Sequence, residues 1–300
     1  MKRLKSTFWC FTSFERYQIT TMVLLFVILG TTLSNQLLIK EPHPYQWLLI
    51  ALVVIYVGTA MLGNRFKQSP VSLLVQSALT IAVMFGLYLI LATLPFDIIP
   101  YNADGLLAGI DQVMGIGIRP SLWFEQFVTE PVLNLFSFFY AVFIPYLYFS
   151  IFLSLLGRPE YEKRIFITAF ALTYSFSFLG YLFVPARGPV VFYQDQFANP
   201  LNGGYFHQLI VTSIEQCGGP HGAFPSLHVG ASWFVCFFDL KFNRLRGLLY
   251  LPIVLGIVCA TVLLRYHYVI DLVAGFFIAT VSTQYACRRY GAVRSAQSAE

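Results

Sequence analysis

Residues 132–156 read VLNLFSFFYAVFIPYLYFSIFLSLL, and no side chain in this run is charged. About 20 apolar residues are enough to cross a bilayer as a helix, so the run is long enough to span. Apolar and polar residues do not alternate along it, which favours a helix over a barrel strand. The run therefore predicts a membrane-spanning helix.

Seven more runs have the same character, at residues 17–39, 46–62, 71–94, 165–184, 223–238, 247–264 and 268–286. Over the whole chain, 57% of the residues are hydrophobic and 11% are charged, against about 25% charged in ordinary globular proteins. This composition argues against the alternative, a large soluble all-α protein. We predict an all-α fold, a polytopic membrane helical bundle of about eight spans, with the sixth run the shortest.

The net charge of +5 follows from topology. With eight spans, 15 of the 19 Lys and Arg residues fall on one side of the membrane. Positive residues mark the cytoplasmic side, so both termini are expected in the cytoplasm. The charge is thus accounted for by the bilayer, and nucleic acid is not an expected partner. In a bacterial cell the membrane would be the plasma (inner) membrane.

Two long segments lie on the outer side, roughly residues 95–131 and 185–222. Loops of this length are uncommon unless they have a function. Residues 106–114 and 123–128 place apolar side chains at helical spacing, and YFHQLIVTSIEQ at 205–216 is a further candidate. We predict interfacial helices on the outer face, with a re-entrant segment as the alternative for the first segment.

Three polar clusters interrupt the apolar background: PARGP at 185–189, PSLH at 225–228 and RYHYVID at 265–271. The first follows the outward end of the fifth span, and the other two open the sixth and eighth spans. All three should therefore meet at the outer face of the membrane.

The clusters contain the side chains of an acid–base and nucleophilic site. His267 and Asp271 are four residues apart, so they lie on one helix face. A carboxylate in that position can orient an imidazole and stabilise its charge, and an ionisable residue inside a span suggests function. His267 is a predicted nucleophile or base with Asp271 as its orienting group, and His228 is a predicted general acid.

The remaining polar residues suit a phosphate. The guanidinium groups of Arg187 and Arg265 match its geometry, and Ser226 can add a donor near a helix N-terminus. His221 is a possible substrate contact, although a role in the loop is the simpler reading. No spacing typical of a metal site occurs, so we predict no metal and no cofactor. The set predicts phosphoryl transfer through a phosphohistidine.

These three motifs resemble those of the type 2 phosphatidic acid phosphatase superfamily. GAFPSLH at 222–228 and RYHYVID are most similar to its inositol phosphorylceramide synthase-like branch. The resemblance implies that His267 attacks phosphorus, Asp271 orients it, His228 protonates the leaving group and Ser226 binds phosphate. We accordingly expect a six-helix catalytic core at 71–290, a two-span extension at 1–70 and a flexible tail at 291–300.

The sequence departs from the phosphatase form of the motifs at four positions. Gly180 stands where that form has lysine, and Thr261 where it has arginine. Gly188 replaces the proline after the first-motif arginine, and Leu227 replaces the glycine of Ser-Gly-His. These changes favour the phosphotransferase branch over a simple phosphatase.

Three functions remain open. The first is a membrane lipid phosphotransferase that moves a phosphorylated headgroup from a phospholipid donor to a lipid alcohol acceptor, such as ceramide or diacylglycerol. The second is a lipid phosphate or pyrophosphate phosphatase, in which water is the acceptor. The third is an anion or lipid transporter that uses the same Arg and His residues without a covalent intermediate.

Overall fold

The computed structural model describes residues 14–39, 43–65, 69–92, 94–99, 101–217 and 219–297, and every regular element among them is a helix. The chain forms two compact units, Met1–Ile90 and Leu91–Glu300. The basic residues at positions 2–5 lie outside the described residues.

The first unit contains three long helices, α1 (Arg16–Ile39), α2 (Gln46–Arg65) and α3 (Pro70–Ile90). All three pack against one another. Polar contacts connect α2 and α3, because the Gln76 side chain donates to the Thr59 carbonyl at 2.8 Å and Tyr56 pairs with Thr80. By packing, α3 belongs with the first two helices, whereas the predicted division at residue 70 assigns it to the catalytic core.

The second unit opens with α4 (Leu94–Ile98), α5 (Asp104–Met114), α6 (Pro120–Trp123) and a 3-10 helix (Phe124–Phe127). The rest of the unit consists of α7 (Glu130–Leu156), α8 (Glu160–Phe183), α9 (Pro189–Phe192), α10 (Tyr205–Gln216), α11 (Leu227–Phe242), α12 (Arg244–Leu263) and α13 (Val269–Gln297). Helix α11 packs on α7, α8, α12 and α13, so it is the central helix of this unit.

Seven of the described helices are long and apolar enough to span a membrane: α1, α2, α3, α7, α8, α12 and α13. The predicted all-α polytopic bundle is confirmed. The predicted sixth span is α11, which has 16 residues and is about 24 Å long at 1.5 Å per residue. Because it is surrounded by other helices, α11 need not match the full thickness of the hydrocarbon layer.

Helix α11 begins later than predicted. The apolar pattern indicates a helix from residue 223, but the first helical residue is Leu227, with Ser226 as its N-cap. The backbone N–H groups of Ala223 and Ser226 instead donate to the carbonyls of Ala186 and Asp271. Contacts with distant segments thus override the local apolar pattern at this point.

Helices α11 and α13 cross closely at two glycines. A Cβ atom on Gly275 would lie 2.3 Å from the Ser226 carbonyl oxygen and 3.3 Å from the Gly230 nitrogen. The crossing requires glycine because no real Cβ contact is that short. It brings the start of α11 against the first turns of α13, where two of the three predicted site motifs lie.

The far end of α11 is fixed by a buried ion-pair network. The Asp239 carboxylate is fully buried and accepts from Arg158 at 2.6 Å and from Arg246 at 2.5 Å. Arg158 also pairs with Glu162 at 2.8 Å. This network joins the α7–α8 connection, α11 and α12, and neither histidine of the predicted site belongs to it.

Helix α13 continues to Gln297. Most of the segment predicted as a tail at 291–300 is therefore helical. Residues 298–300 lie outside the described residues.

Replacing Gly275 by alanine should force α11 and α13 apart. Overpacking of this kind costs about 1–3 kcal/mol, so Gly275→Ala should lower the apparent unfolding temperature in detergent. Gly109→Ala is the matched control, because nothing lies within 4 Å of its added Cβ. An unchanged unfolding temperature for Gly275→Ala would contradict the close crossing.

Candidate active site

The three polar motifs meet in the second unit. Ser226 of the second motif donates to the Asp271 carbonyl of the third motif at 3.0 Å. Ala223, two residues before PSLH, donates to the Ala186 carbonyl at 3.2 Å, and Val190, directly after PARGP, donates to the Arg265 carbonyl at 2.7 Å. The three motifs and the residues next to them thus lie side by side, and that they form one site stays a prediction.

His267 has a defined tautomer. Its Nδ1 atom lies 2.8 Å from the Ala223 carbonyl oxygen, and a carbonyl can only accept a hydrogen bond. Nδ1 therefore carries the proton, and the lone pair of the neutral ring lies on Nε2. Burial lowers the pKa of His267 to about 4, so the imidazole is neutral at pH 7. A neutral ring with a free Nε2 lone pair is the form that a nucleophile requires.

Asp271 lies beside this ring and also accepts a backbone hydrogen bond just before the start of α13. One of its oxygens, Oδ2, accepts the Tyr268 N–H at 2.8 Å and lies 3.5 Å from His267 Nδ1. The Ala223 carbonyl is thus the nearer partner of the imidazole. Asp271 places a buried carboxyl group within reach of the ring.

His228 faces His267 from the first turn of α11. The two ring centroids are 5.7 Å apart in an edge-to-face arrangement. Tyr140 and Phe143 of α7 pack on His228, each with its ring centroid 4.5 Å away. This spacing lets both imidazoles reach one small group placed between them.

Ser226 is fully buried, and its hydroxyl oxygen accepts the Val229 N–H at 3.4 Å. This bond is long for an N-cap, and it leaves the hydroxyl hydrogen as a donor. The side chain is at the N-terminus of α11, one turn of chain from His228.

The two arginines rest on aromatic rings. Arg187 is exposed, and its guanidinium carbon lies 5.0 Å from the Phe96 ring centroid. Arg265 is buried, with its guanidinium carbon 3.8 Å from the Phe197 ring centroid. The structure brings His228, His267, Ser226 and Asp271 together. The side chains of the two arginines instead contact these aromatic rings.

His221 closes a turn. Its Nδ1 atom lies 2.7 Å from the Gly219 carbonyl oxygen, and burial lowers the pKa of its imidazole. This contact is consistent with the simpler interpretation of His221 from the sequence, which is a role in the loop.

Two of the departures from the phosphatase motifs have steric causes. A Cβ on Gly180 would lie 2.2 Å from the Pro225 ring, so a lysine cannot stand there. Thr261 is fully buried, and its carbonyl accepts the His267 N–H at 3.1 Å. Gly180 is thus required by the close approach of Pro225, and Thr261 is a buried residue whose backbone holds the third motif.

A third departure, Gly188, has a positive φ of 92°. Proline, which the phosphatase form has at this position, cannot adopt this angle because its ring fixes φ near −65°. The Gly188 N–H also donates to Asp104 at 2.8 Å, and proline has no N–H to donate.

Two buried carboxylates of α5 hold the site segments, and the sequence did not single them out. Asp104 accepts the N–H groups of Arg187 and Gly188 at 2.9 and 2.8 Å, and the Tyr268 hydroxyl at 3.0 Å. Asp111 accepts the N–H groups of Val269 and Ile270, both at 2.8 Å.

Burial raises the pKa of the Asp111 carboxyl, although the two N–H donors oppose that shift. Asp111 thus caps the start of α13, two residues after His267. Asp104 joins the first motif to the last.

A signal for these residues was present in the sequence. Positions 104, 107, 108 and 111 share one face of a helix, and all four are buried. An aspartate at each end of an apolar helical face indicates buried acceptors, whereas the prediction of an interfacial helix gave neither aspartate a role.

A family model of the PAP2 superfamily matches residues 106–285, more than half of the chain and all of the three motifs. The chain belongs to the PAP2 superfamily. Membership supports a lipid phosphatase or phosphotransferase kind of function in an integral membrane protein. Among the described residues, no group of three or more His, Cys, Asp or Glu side chains could hold a metal ion.

One curated relative is a PA-phosphatase related-family protein of Dictyostelium discoideum, 29% identical over 139 residues. The aligned region covers 44% of this chain and 24% of that protein, so this chain spans about a quarter of the relative's length. No solved structure matches the chain.

Removing the Asp111 carboxylate should loosen the start of α13. In Asp111→Ala, the N–H groups of Val269 and Ile270 lose their acceptors, at a cost of about 1–3 kcal/mol for each buried donor. Hydrogen–deuterium exchange of a peptide covering residues 267–275 should become faster. Asp195→Ala, at an exposed position, is the control. Equal exchange in both variants would show that Asp111 does not cap α13.

Proposed function

We propose that this protein is a lipid phosphotransferase that moves a phosphorylated headgroup from a phospholipid to a lipid alcohol. The observation that carries this proposal is the His267 tautomer, in which Nδ1 donates to the Ala223 carbonyl and Nε2 keeps its lone pair, in a ring whose centroid is 5.7 Å from that of His228. PAP2 superfamily membership supports the general class of reaction.

In the first half of the reaction, the lone pair of His267 Nε2 forms a bond to the donor's phosphorus. The P–O bond to the diacylglycerol oxygen breaks, and protonated His228 gives its proton to that oxygen. The phosphorylated headgroup remains bonded to His267. The positive charge that develops on the ring lies 3.5 Å from the Asp271 carboxylate, which stabilises it.

In the second half, His228 takes the proton of the acceptor hydroxyl. The acceptor oxygen forms the new P–O bond while the P–N bond to His267 breaks. Both histidines return to their starting states, so one headgroup moves per cycle and no other reactant is consumed. Ser226, at the start of α11, is placed to donate to a phosphate oxygen.

Two features favour an alcohol over water as the acceptor. His267 is 4% exposed and Tyr140 and Phe143 pack on His228, so the reacting groups lie in apolar surroundings that suit a lipid acceptor. Gly180 and Thr261 also occupy the positions of the phosphatase form's basic residues, which leaves fewer cations for a doubly charged phosphate. Both features fit the inositol phosphorylceramide synthase-like branch.

A lipid phosphate phosphatase is the second candidate. It is supported by the printed name of the Dictyostelium relative, which is PA-phosphatase related. The same histidines would act, with water in place of the lipid alcohol.

We further propose that both termini face the cytoplasm and that the histidines face the outer side. The distribution of Lys and Arg supports this orientation. All the proposed site residues lie in the unit Leu91–Glu300, which supports placing the chemistry outside the first two spans.

The choice between transfer and hydrolysis can be tested with one labelled donor. Purified protein in detergent is given phosphatidylinositol labelled in its phosphate, with and without ceramide or a diacylglycerol whose acyl chains differ in length from those of the donor. We expect labelled product lipid that depends on the acceptor, and a loss of at least about 1,000-fold in His267→Ala. Release of a water-soluble labelled product at the same rate without acceptor would establish hydrolysis instead.

The role of His228 can be tested with the leaving group. With a diacylglycerol leaving group, His228→Ala should lose about 10²–10⁴-fold in rate, the usual contribution of a general acid. With a p-nitrophenyl phosphodiester, whose leaving group needs no proton, the loss in the rate of the first-turnover burst of p-nitrophenol should be below about 10-fold, because that burst reports the first half of the reaction alone. His43→Ala, in the first unit, is the control. Equal losses with both substrates would contradict the role of a general acid.

A further inference from the structure

Glu125 is fixed close to the last motif by three contacts. It lies in the 3-10 helix Phe124–Phe127, and its Oε1 atom is 3.2 Å from the Arg265 guanidinium. Its carboxylate also accepts the N–H groups of Asn199 at 2.7 Å and Ala198 at 3.3 Å. The carboxylate is therefore held in place by two segments of the chain.

Arg265 is equally constrained on its side of the pair. It is 5% exposed, and its backbone has a positive φ of 66°, which is uncommon for a residue with a side chain. Its carbonyl accepts the Val190 N–H at 2.7 Å. Because the backbone on both sides is fixed, the guanidinium cannot easily turn away from Glu125.

The consequence is electrostatic. At least four carboxylates bond to the three motif segments: Asp104, Asp111, Asp271 and Glu125. The motifs themselves contain two arginines, of which Arg187 is exposed and Arg265 has its charge balanced by Glu125. A phosphate between the histidines thus meets little net positive charge. With the charge of Arg265 balanced by Glu125, the motifs contain no buried cation that could offset a second negative charge on that phosphate.

We propose that Glu125 is a specificity-determining residue that restricts the site to singly charged phosphodiesters by balancing the charge of Arg265. This inference rests on the proposed function, because it assumes that phosphate binds between His267 and His228. It adds the substrate's charge class. Phosphodiesters with one negative charge are accepted, and phosphomonoesters with two are disfavoured.

The test uses two lipids that differ by one methyl group. Phosphatidic acid is a monoester and carries nearly two charges above pH 7, whereas phosphatidylmethanol is a diester with one. With equal acyl chains, in detergent micelles at pH 8, both release diacylglycerol in the first half of the reaction. We expect wild-type kcat/KM to be at least about 10-fold higher for phosphatidylmethanol.

Glu125→Gln keeps the size and the acceptor oxygen of the side chain and removes its charge. It should raise the ratio of kcat/KM for phosphatidic acid to that for phosphatidylmethanol by at least about 10-fold. Glu125→Asp keeps the charge and should retain the wild-type preference. Glu130→Gln is the matched control, since it removes the same charge at a nearby exposed position and should leave the ratio unchanged.

The outcomes separate this inference from the proposed function. A wild type that uses phosphatidic acid as well as phosphatidylmethanol overturns the inference, and this result does not depend on the folding of any variant. An unchanged ratio in folded Glu125→Gln overturns it as well. If no diester releases diacylglycerol while phosphatidic acid does, the proposed transferase function fails, and this inference fails with it.

Discussion

Asp104 and Asp111, two buried carboxylates on one face of α5, hold the site together. Between them they accept four backbone N–H groups, two from the first motif and two from the start of α13. Buried N–H groups must find acceptors, and a charged acceptor makes a stronger bond than a neutral one. The loop before α9 and the first turn of α13 are therefore fixed relative to the same rigid helix.

The chemistry depends on that constraint. His267 lies just before α13, so the position of its ring follows the position of the helix start. The ring is then set by the Ala223 carbonyl, which assigns the proton to Nδ1 and leaves the lone pair on Nε2. The Gly275 crossing brings the start of α11, with His228, next to the start of α13. The position of the His267 ring thus depends on how α13 packs against α5 and α11.

Much of this could be predicted from the sequence. The long apolar runs predicted the spanning helices. The positions of the three motifs at the outward ends of spans predicted that their residues lie close together. The apolar run from residue 223 did not show that the first helical residue is Leu227, because the N–H groups of Ala223 and Ser226 bond to distant segments. Asp104 and Asp111 were missed because their acceptor role depends on partners 83 and 158 residues away. The pairing of Arg265 with Glu125, 140 residues apart, was missed for the same reason.

The proposed covalent bond between His267 and phosphorus can be observed in a single experiment. Purified protein is mixed with phosphate-labelled phosphatidylinositol, quenched in alkali within the first turnover, digested and analysed by mass spectrometry. We expect an alkali-stable headgroup phosphate on the peptide that contains His267, absent from His267→Asn and removed when a lipid alcohol is added. Full turnover of the donor without any label on that peptide would show that no phosphohistidine forms.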